Sequence, residues 1–178
     1  MKSINGKLHK SVKKAVNLGL AAILSISLGV ANVKGETNNP EAKKHYERGR
    51  EEFGEGRRTS ALQETEEAIR LDPKYFEAYV SLSDIYINYG EYDKSIENAK
   101  KAISLNPKDG DGYLMLGIAY WRMDVFELTT SHCKEAEKYA SKAAELYRKQ
   151  HKDIDAKRAE FIVNSVRKIA EQGWDWKK

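Results

Sequence analysis

A six-residue phrase occurs twice in this chain, and the two copies lie 34 residues apart. They read Ala68-Ile-Arg-Leu-Asp-Pro73 and Ala102-Ile-Ser-Leu-Asn-Pro107. Self-similarity at this period is typical of chains built from stacked helix-turn-helix units, because a unit of that size cannot bury its apolar face alone. The repeat therefore predicts a solenoid of helical hairpins.

The composition also favours an all-α protein. Of the 178 residues, 40% are hydrophobic and 33% are charged, which is ordinary for a soluble globular protein. There are three prolines, and valine and isoleucine nowhere alternate with polar residues for long enough to predict a strand. We therefore expect one helical domain with a short N-terminal appendage.

The formal net charge of +4 does not predict a nucleic-acid partner. Residues 1–35 hold six lysines and no acidic residue, so the rest of the chain carries 25 basic and 27 acidic side chains. Nucleic-acid binding requires a basic patch or stripe. Because the remainder is slightly acidic, we expect no nucleic-acid partner.

The N-terminal segment, residues 1–35, resembles a bacterial secretory signal peptide. Five lysines up to Lys14 precede an uncharged, mostly apolar run over residues 15–31. A basic start, an apolar stretch and a small-residue cleavage site make up the segment that export removes. The residues that fit the cleavage site are Gly29 and Ala31, or Val33 and Gly35.

An uncleaved membrane anchor is the alternative for this segment. The 17 residues of the apolar run are at the lower limit of length for crossing hydrocarbon. Either interpretation places the repeats outside the cytoplasm, in the periplasm or cell envelope. Residues 15–31 are the only expected membrane contact, and only if the segment is not cleaved. The single cysteine, Cys133, lies far from the run, which excludes a lipoprotein of the usual kind and an internal disulfide.

The prolines that end the two copies of the phrase, Pro73 and Pro107, set the repeat boundaries. They predict three units, residues 42–75, 76–109 and 110–143, within a repeat domain over residues 36–150. In units two and three, residues spaced three, four and seven apart fall on one face of the first helix. These faces consist of Tyr79, Leu82, Ser83 and Tyr86, and of Tyr113, Leu116, Gly117 and Tyr120.

This pattern resembles the tetratricopeptide repeat (TPR). That family has an aromatic, a leucine-glycine pair and a tyrosine on the first helix, then alanine, an aromatic and alanine on the second, and a closing proline. The resemblance implies small residues where the two helices touch. The pairs at those positions are Gly49 with Ala61, Ser83 with Ser95, and Gly117 with Thr129. The aromatic position departs from the family, holding Thr65, Ala99 and Cys133, and Ser141 replaces the third proline.

Residues 151–178 are expected to cap the last repeat. Ala136–Gln150 is strongly helix-forming, so either the second helix of unit three continues or Ser141 begins a new one. An amphipathic helix follows, and its polar face suits a terminal cap. Beyond it, Trp174 and Trp176 can dock on this domain or on another protein. The apolar stripe of the helix is Ala159, Ile162, Val163, Val166, Ile169 and Ala170.

The resemblance further implies a concave groove lined by the first helix of each unit. Seven of its eleven residues are apolar or aromatic, which suits an extended peptide or a helix from a protein partner. The alternative is that a capping segment of the same chain fills the groove. The groove residues are Tyr46, Arg50, Phe53, Val80, Asp84, Ile87, Asn88, Leu114, Ile118, Trp121 and Arg122.

One TPR subclass holds a partner's terminal carboxylate with lysines and asparagines. This chain has Tyr46, Arg50 and Asp84 at the corresponding positions. An acidic residue there repels a carboxylate, so we do not expect this mode of binding.

Two short motifs invite a chemical interpretation, and neither carries it. His132 and Cys133 are adjacent, so on a helix they point about 100° apart and cannot both hold one ion; we expect Cys133 to be a buried structural thiol. The run Asp109-Gly-Asp111-Gly lacks the spaced ligands and closing glutamate of a calcium loop. We expect no catalytic residue, no metal and no cofactor.

Together these patterns predict an exported scaffold that binds a protein or peptide partner in its groove, in envelope assembly or localisation. An inner-membrane-anchored scaffold of the same fold is the alternative. The identity of the partner and self-association into a homo-oligomer stay open, because function is inferred here from a fold that serves many roles.

Overall fold

The computed structural model describes residues 37–127 and 129–172. All regular structure within these ranges is helical, so the all-α prediction is confirmed. The helices are α1 (Pro40–Gly54), α2 (Arg58–Leu71), α3 (Phe76–Tyr89), α4 (Tyr92–Leu105), α5 (Asp111–Glu127), α6 (Cys133–Lys149) and α7 (Asp153–Gln172). The predicted signal peptide and the tail with Trp174 and Trp176 lie outside the described residues. In the described part, every helix is too short or too polar to cross a membrane.

The helices begin and end where local chemistry directs. The side chain of Asn39 accepts the backbone N–H groups of Glu41 and Ala42, and Pro40 occupies the first turn of α1. Helix α3 ends at Gly90, whose φ of 77° is the left-handed conformation that glycine adopts without strain.

Consecutive helices pack as hairpins, α1 with α2, α3 with α4, and α5 with α6, while α7 packs on α6. The first helices α1, α3, α5 and α7 also contact one another along the stack. The second helices α2, α4 and α6 make no close backbone contact with one another in the described part. The stack is therefore tighter on the side of the first helices, which makes that side the concave face.

Small residues bring the helices of units one and two together, as predicted. A Cβ atom on Gly49 would lie 3.3 Å from the carbonyl oxygen of Ala61 and 2.7 Å from Oγ1 of Thr65. The hydroxyls of Ser83 and Ser95 are 2.8 Å apart. Both pairs are buried, so the close approach of the hairpin helices depends on the small size of these side chains.

The predicted pairing of Gly117 with Thr129 is wrong. A Cβ atom on Gly117 would lie 3.0 Å from the backbone nitrogen of Ala140 and 3.3 Å from the carbonyl oxygen of Ala136. Ala136 is thus the partner, seven residues beyond Thr129. The reason is that α5 has 17 residues, where α3 has 14, and that α6 begins only at Cys133. The 34-residue period does not extend through unit three.

The second helix of unit three continues past Ser141. Helix α6 runs without a break from Cys133 to Lys149, six residues beyond position 143, where the repeat spacing would end the unit. Its buried face is mostly alanine, which lets α5 and α7 approach it closely. The question of one helix or two is settled in favour of one.

Helix α7 closes the stack. Its residues Ala159, Ile162, Val163 and Val166 are buried, as the amphipathic pattern predicts. Ala156 joins this buried stripe, whereas Ala170 is exposed. The core therefore runs from the end of α3 through α7 as one cluster, with a smaller cluster under unit one.

Candidate functional site

The concave face carries two cavities, which five of the eleven predicted groove residues line. We call them the N-terminal cavity, of about 220 Å³, and the C-terminal cavity, of about 430 Å³. The first lies against α1, α2 and α3, and the second between α5 and α7. The predicted residues that line the N-terminal cavity are Arg50, Phe53 and Asp84, and those that line the C-terminal cavity are Leu114 and Ile118.

The N-terminal cavity mixes charged, aromatic and hydroxyl groups. Helix α1 contributes Arg50 and Phe53, and α3 contributes Ser81 and Asp84. The guanidinium carbon of Arg50 lies 5.8 Å from the ring centroid of Tyr46, a cation–π contact that orients the side chain. This wall can donate hydrogen bonds to a carbonyl or carboxylate.

Asp84 provides the opposite charge in the same cavity. Burial raises the pKa of its carboxyl group, and the positive charge of Arg158 on α7 acts against that rise. The side-chain nitrogen of Asn88 donates to the Asp84 backbone carbonyl at 2.9 Å and lies 3.3 Å from its Oδ1. The cavity therefore offers an acceptor beside the donors of Arg50, which suits a peptide backbone better than a single ion.

The C-terminal cavity is apolar with a basic rim. Leu114 and Ile162 are buried beneath it, while Ile154 and Phe161 stand at its edge with 78% and 63% of their surface exposed. The charged residues of its lining are Lys157 and Arg158. Large exposed apolar side chains grouped around a cavity are typical of an interaction site.

Trp121 lies beside this cavity. Its ring meets Phe161 edge to face, with centroids 6.4 Å apart and an interplanar angle of 89°. Its Nε1 atom is buried and finds no acceptor among the residues that the structure describes. The contact joins α5 to α7, so Trp121 is half-buried rather than freely presented.

The other predicted groove residues differ in how accessible they are. Ile87 is 5% exposed and belongs to the core, so it is a correction to the predicted groove. Val80 is half-buried against the same core, whereas Asn88 and Arg122 are exposed. The side chain at position 87 turns inward because it packs with the cluster that includes Ile96, near the end of the hairpin.

The α7 side of the C-terminal cavity is absent from the predicted groove. Its residues Ile154, Lys157, Arg158 and Phe161 belong to the C-terminal helix, which the sequence predicts to be a cap. The signal was present in the sequence, since Ile154 and Phe161 are seven residues apart and share a helix face. The family resemblance covered only the three repeats and therefore did not point to this helix.

The His132-Cys133 motif has a structural role. The carboxylate of Asp124 is 1% exposed and accepts from Thr129 Oγ1 at 2.8 Å and from the backbone nitrogen of His132 at 3.0 Å. Burial and the neighbouring Asp124 raise the pKa of the Cys133 thiol to about 11, which keeps it protonated at neutral pH. The cluster caps the start of α6.

The acidic motif at the start of α5 is accounted for in the same way. Asp109 accepts the backbone N–H of Asp111 at 2.8 Å, as in a helix-initiating turn. Asp111 in turn accepts the hydroxyl of Tyr147 from α6 at 2.5 Å. Asp109 therefore stabilises the start of α5, and Asp111 joins α5 to α6.

Comparison with known proteins supports the fold. A family described as "TPR repeat" matches residues 83–124, and one described as "Tetratricopeptide repeat" matches residues 65–97. A search of the curated proteins found no match.

Several solved structures are similar. The first TPR of Spaghetti (RPAP3), bound to the HSP90 peptide SRMEEVD, aligns with a TM-score of 0.61 and 18% identity, over 76% of this chain and 94% of that one. The TPR2B domain of yeast Sti1, in complex with pHsp70, aligns with a TM-score of 0.64 and 15% identity, over 72% and 97%. MamA is 31% identical with a TM-score of 0.52, over 65% of this chain and 59% of that one.

Proposed function

The chain folds as a tetratricopeptide-repeat protein, and we propose that it acts as a scaffold or adaptor that binds a segment of another polypeptide on its concave face. The observation that carries the proposal is the pair of cavities on that face, one of mixed polarity and one apolar. A polypeptide presents both backbone hydrogen-bonding groups and apolar side chains, so it can use both. The function is binding rather than catalysis.

Two features of the concave face support a polypeptide ligand. The donors of Arg50 and the acceptor of Asp84 share one cavity, and these are the groups that an extended backbone satisfies. Exposed Ile154 and Phe161 flank the other, which gives apolar anchors for side chains. Two structural neighbours are complexes with an HSP90 peptide and with pHsp70, so the same fold holds peptides elsewhere.

The mode of binding we propose differs from a clamp on a terminal carboxylate. The positions that would carry that clamp hold Tyr46, Arg50 and Asp84. Tyr46 is engaged beneath Arg50, and Asp84 adds a negative charge to the cavity. An internal segment of a partner is therefore a better ligand than a free C terminus.

The proposal includes a place of action. Residues 1–35 support export to the periplasm or cell envelope, with the repeats acting in assembly or localisation there. An inner-membrane-anchored scaffold is the second candidate, supported by the same apolar run. N-terminal sequencing of the protein isolated from its host separates the two, since a start near Asn32 or Glu36 rules out the anchor.

The binding function is tested by comparing capture by the full chain with capture by groove variants. Phe53→Glu and Trp121→Glu each place a charge at one of the two cavities, and each should reduce recovery of partners at least fivefold. Phe126→Glu is the matched control, because Phe126 is 77% exposed and lies against Tyr92, outside both cavities. Circular dichroism checks that each variant is folded. Equal recovery by all four proteins would reject the concave face as the binding site.

A further inference from the structure

The two cavities differ in charge as well as in polarity. The N-terminal cavity contains both Arg50 and Asp84, whereas the lining of the C-terminal cavity has two cationic side chains, Lys157 and Arg158, and no carboxylate among the described residues. The repeat domain as a whole is slightly acidic. The basic rim is therefore a local feature of α7 rather than a reflection of net charge.

Both cationic groups are available to a ligand. Lys157 is exposed and forms no salt bridge within the described residues. Arg158 has 62% of its side chain exposed and lies 3.6 Å from Asp155, one turn away on the same helix, and its charge also acts on Asp84 of α3. Exposed pairs of this kind contribute little, so Arg158 can exchange Asp155 for an acidic group on a partner at small cost.

Resting on the proposed function, we propose that the C-terminal cavity binds an acidic amphipathic segment of a partner protein. Bulky apolar side chains of the segment fill the space between α5 and α7. Acidic side chains next to them meet Lys157 and Arg158. Ile154 and Phe161 are two helical turns apart, about 10 Å, which matches apolar anchors spaced three, four and seven residues apart on a short helix.

Charge argues against the two other occupants. Residues 173–178 of this chain carry two lysines and one aspartate, so their side chains bring positive charge to a basic rim. A second copy seated face to face would set Lys157 and Arg158 of one molecule against the same residues of the other. Like charges brought together at an interface are unfavourable. A separate, acidic segment is the occupant that the rim favours.

The first test selects peptides without prior bias. The full chain is presented to a displayed library of random 12-residue peptides, and the enriched sequences are read. We expect peptides that combine leucine, isoleucine or aromatic residues at helical spacing with glutamate or aspartate. The same selection on the double variant Lys157→Glu/Arg158→Glu should lose the acidic preference and enrich lysine and arginine instead.

The second test measures affinity with two synthetic peptides. The probe is a fluorescein-labelled amphipathic peptide with leucines on one face and glutamates beside them, and its partner carries lysine at each glutamate position. Fluorescence anisotropy should show the glutamate peptide binding at least tenfold more tightly to the full chain, with a smaller ratio at high salt. Lys157→Glu/Arg158→Glu should reverse the order. Lys134→Glu/Lys168→Glu, which changes net charge equally at exposed positions outside the cavity lining, should not.

The outcomes distinguish this inference from the proposed function. Suppose that peptides are enriched and that Phe53→Glu weakens their binding, but that they show no acidic bias and bind equally well to Lys157→Glu/Arg158→Glu. The inference then fails and the proposed function stands. If no peptide is enriched, both fail. Two further results overturn the inference by naming another occupant. One is tight peptide binding that appears only after residues 173–178 are deleted. The other is a dimer that Phe161→Glu converts to monomer.

Discussion

Asp124, in the last turns of α5, caps the next helix by accepting the backbone N–H of His132 at 3.0 Å. The connection between α5 and α6 is longer than those in the first two hairpins, and this carboxylate spans it. The bond fixes where α6 begins, and so it sets the packing of Ala136 and Ala140 against Gly117. One buried side chain thereby determines the register of the third unit.

Asp124→Asn should destabilise the fold at neutral pH by about 1–3 kcal/mol, because hydrogen bonds to a charged acceptor are stronger than those to an amide. Burial acts to raise the pKa of Asp124, but the bonds from Thr129, His132 and Cys133 outweigh it and the pKa is lowered. The contribution is therefore present above about pH 4 and is lost as the pH falls through the lowered pKa.

Urea unfolding at pH 7 and at pH 3 measures this effect. The cost of Asp124→Asn should shrink at the lower pH. Glu127→Gln is the control, since it removes the same charge from an exposed position on the same helix and should change stability by less than about 0.5 kcal/mol. An equal loss at both pH values would show that the carboxylate charge is not what stabilises the cap.

Tyr147→Phe should also cost more at neutral pH than at acid pH, although the pKa of its carboxylate partner Asp111 is raised rather than lowered. Burial raises the pKa of Asp111, and the hydroxyl of Tyr147 opposes that rise. A raised carboxyl pKa gives stability that is full below its unfolded pKa, about 4, and is lost as the pH rises through the folded pKa. Removing the hydroxyl leaves the charged form without its donor, so the cost should be about 1–3 kcal/mol at pH 7 and smaller at pH 4.

Thermal or urea unfolding at the two pH values tests this prediction. Tyr139→Phe is the matched control, because Tyr139 is half-buried and stacked on Tyr120. Its loss of a hydroxyl should cost less at pH 7 than the loss at Tyr147. A Tyr147→Phe cost that grew on acidification would contradict the assignment.

Gly117→Ala should destabilise the protein by about 1–3 kcal/mol. The added methyl group would meet the backbone of Ala140 at 3.0 Å, which cannot move without displacing α6. Gly54→Ala offers the control, since its new Cβ would have no neighbour within 4 Å and alanine is the better helix former. Denaturant unfolding compares the two variants. If Gly54→Ala unfolded at a lower denaturant concentration than Gly117→Ala, α5 and α6 would not be in close contact at Gly117.

Alanine substitutions at the neighbouring residues Phe161 and Ile162 should affect different properties, peptide affinity at Phe161 and the free energy of unfolding at Ile162. Ile162 is 6% exposed in the core, so Ile162→Ala should cost about 2–5 kcal/mol. Phe161 is largely exposed, so Phe161→Ala should cost less than about 1 kcal/mol while weakening binding of the acidic peptide at least fivefold. Calorimetry and anisotropy on the same preparations compare the two. Retained binding by folded Phe161→Ala would remove Phe161 from the site.

The repeats could be predicted because their physics is local. Each small pair in units one and two lies within 12 residues in the sequence, and the turn at Gly90 is specified by glycine itself. The period therefore located the helices of the first two hairpins. The period gave the wrong partner, Thr129, for Gly117. Nothing in the sequence around residues 121–132 ends a helix as Gly90 does, so α5 is longer than α3 and α6 begins only at Cys133.

The predicted groove was incomplete for a different reason. Arg50, Phe53, Asp84, Leu114 and Ile118 were placed by their positions in the repeat, and the structure puts them at the two cavities. The α7 wall depends on how the C-terminal helix is rotated against α5, which is a tertiary property. The amphipathic pattern identified the stripe of α7 that packs on α6. It could not show that Phe161, on the exposed side of α7, lies at a cavity shared with α5.

The seven-residue extension makes the third hairpin unlike the other two. An array of equal hairpins offers a ligand several equivalent alignments, each displaced from the next by one unit. Here a bound polypeptide displaced along the concave face would exchange the apolar C-terminal cavity, with its basic rim, for the N-terminal cavity that holds Asp84. The two ends of the concave face are therefore not equivalent, and a ligand meets a different surface at each.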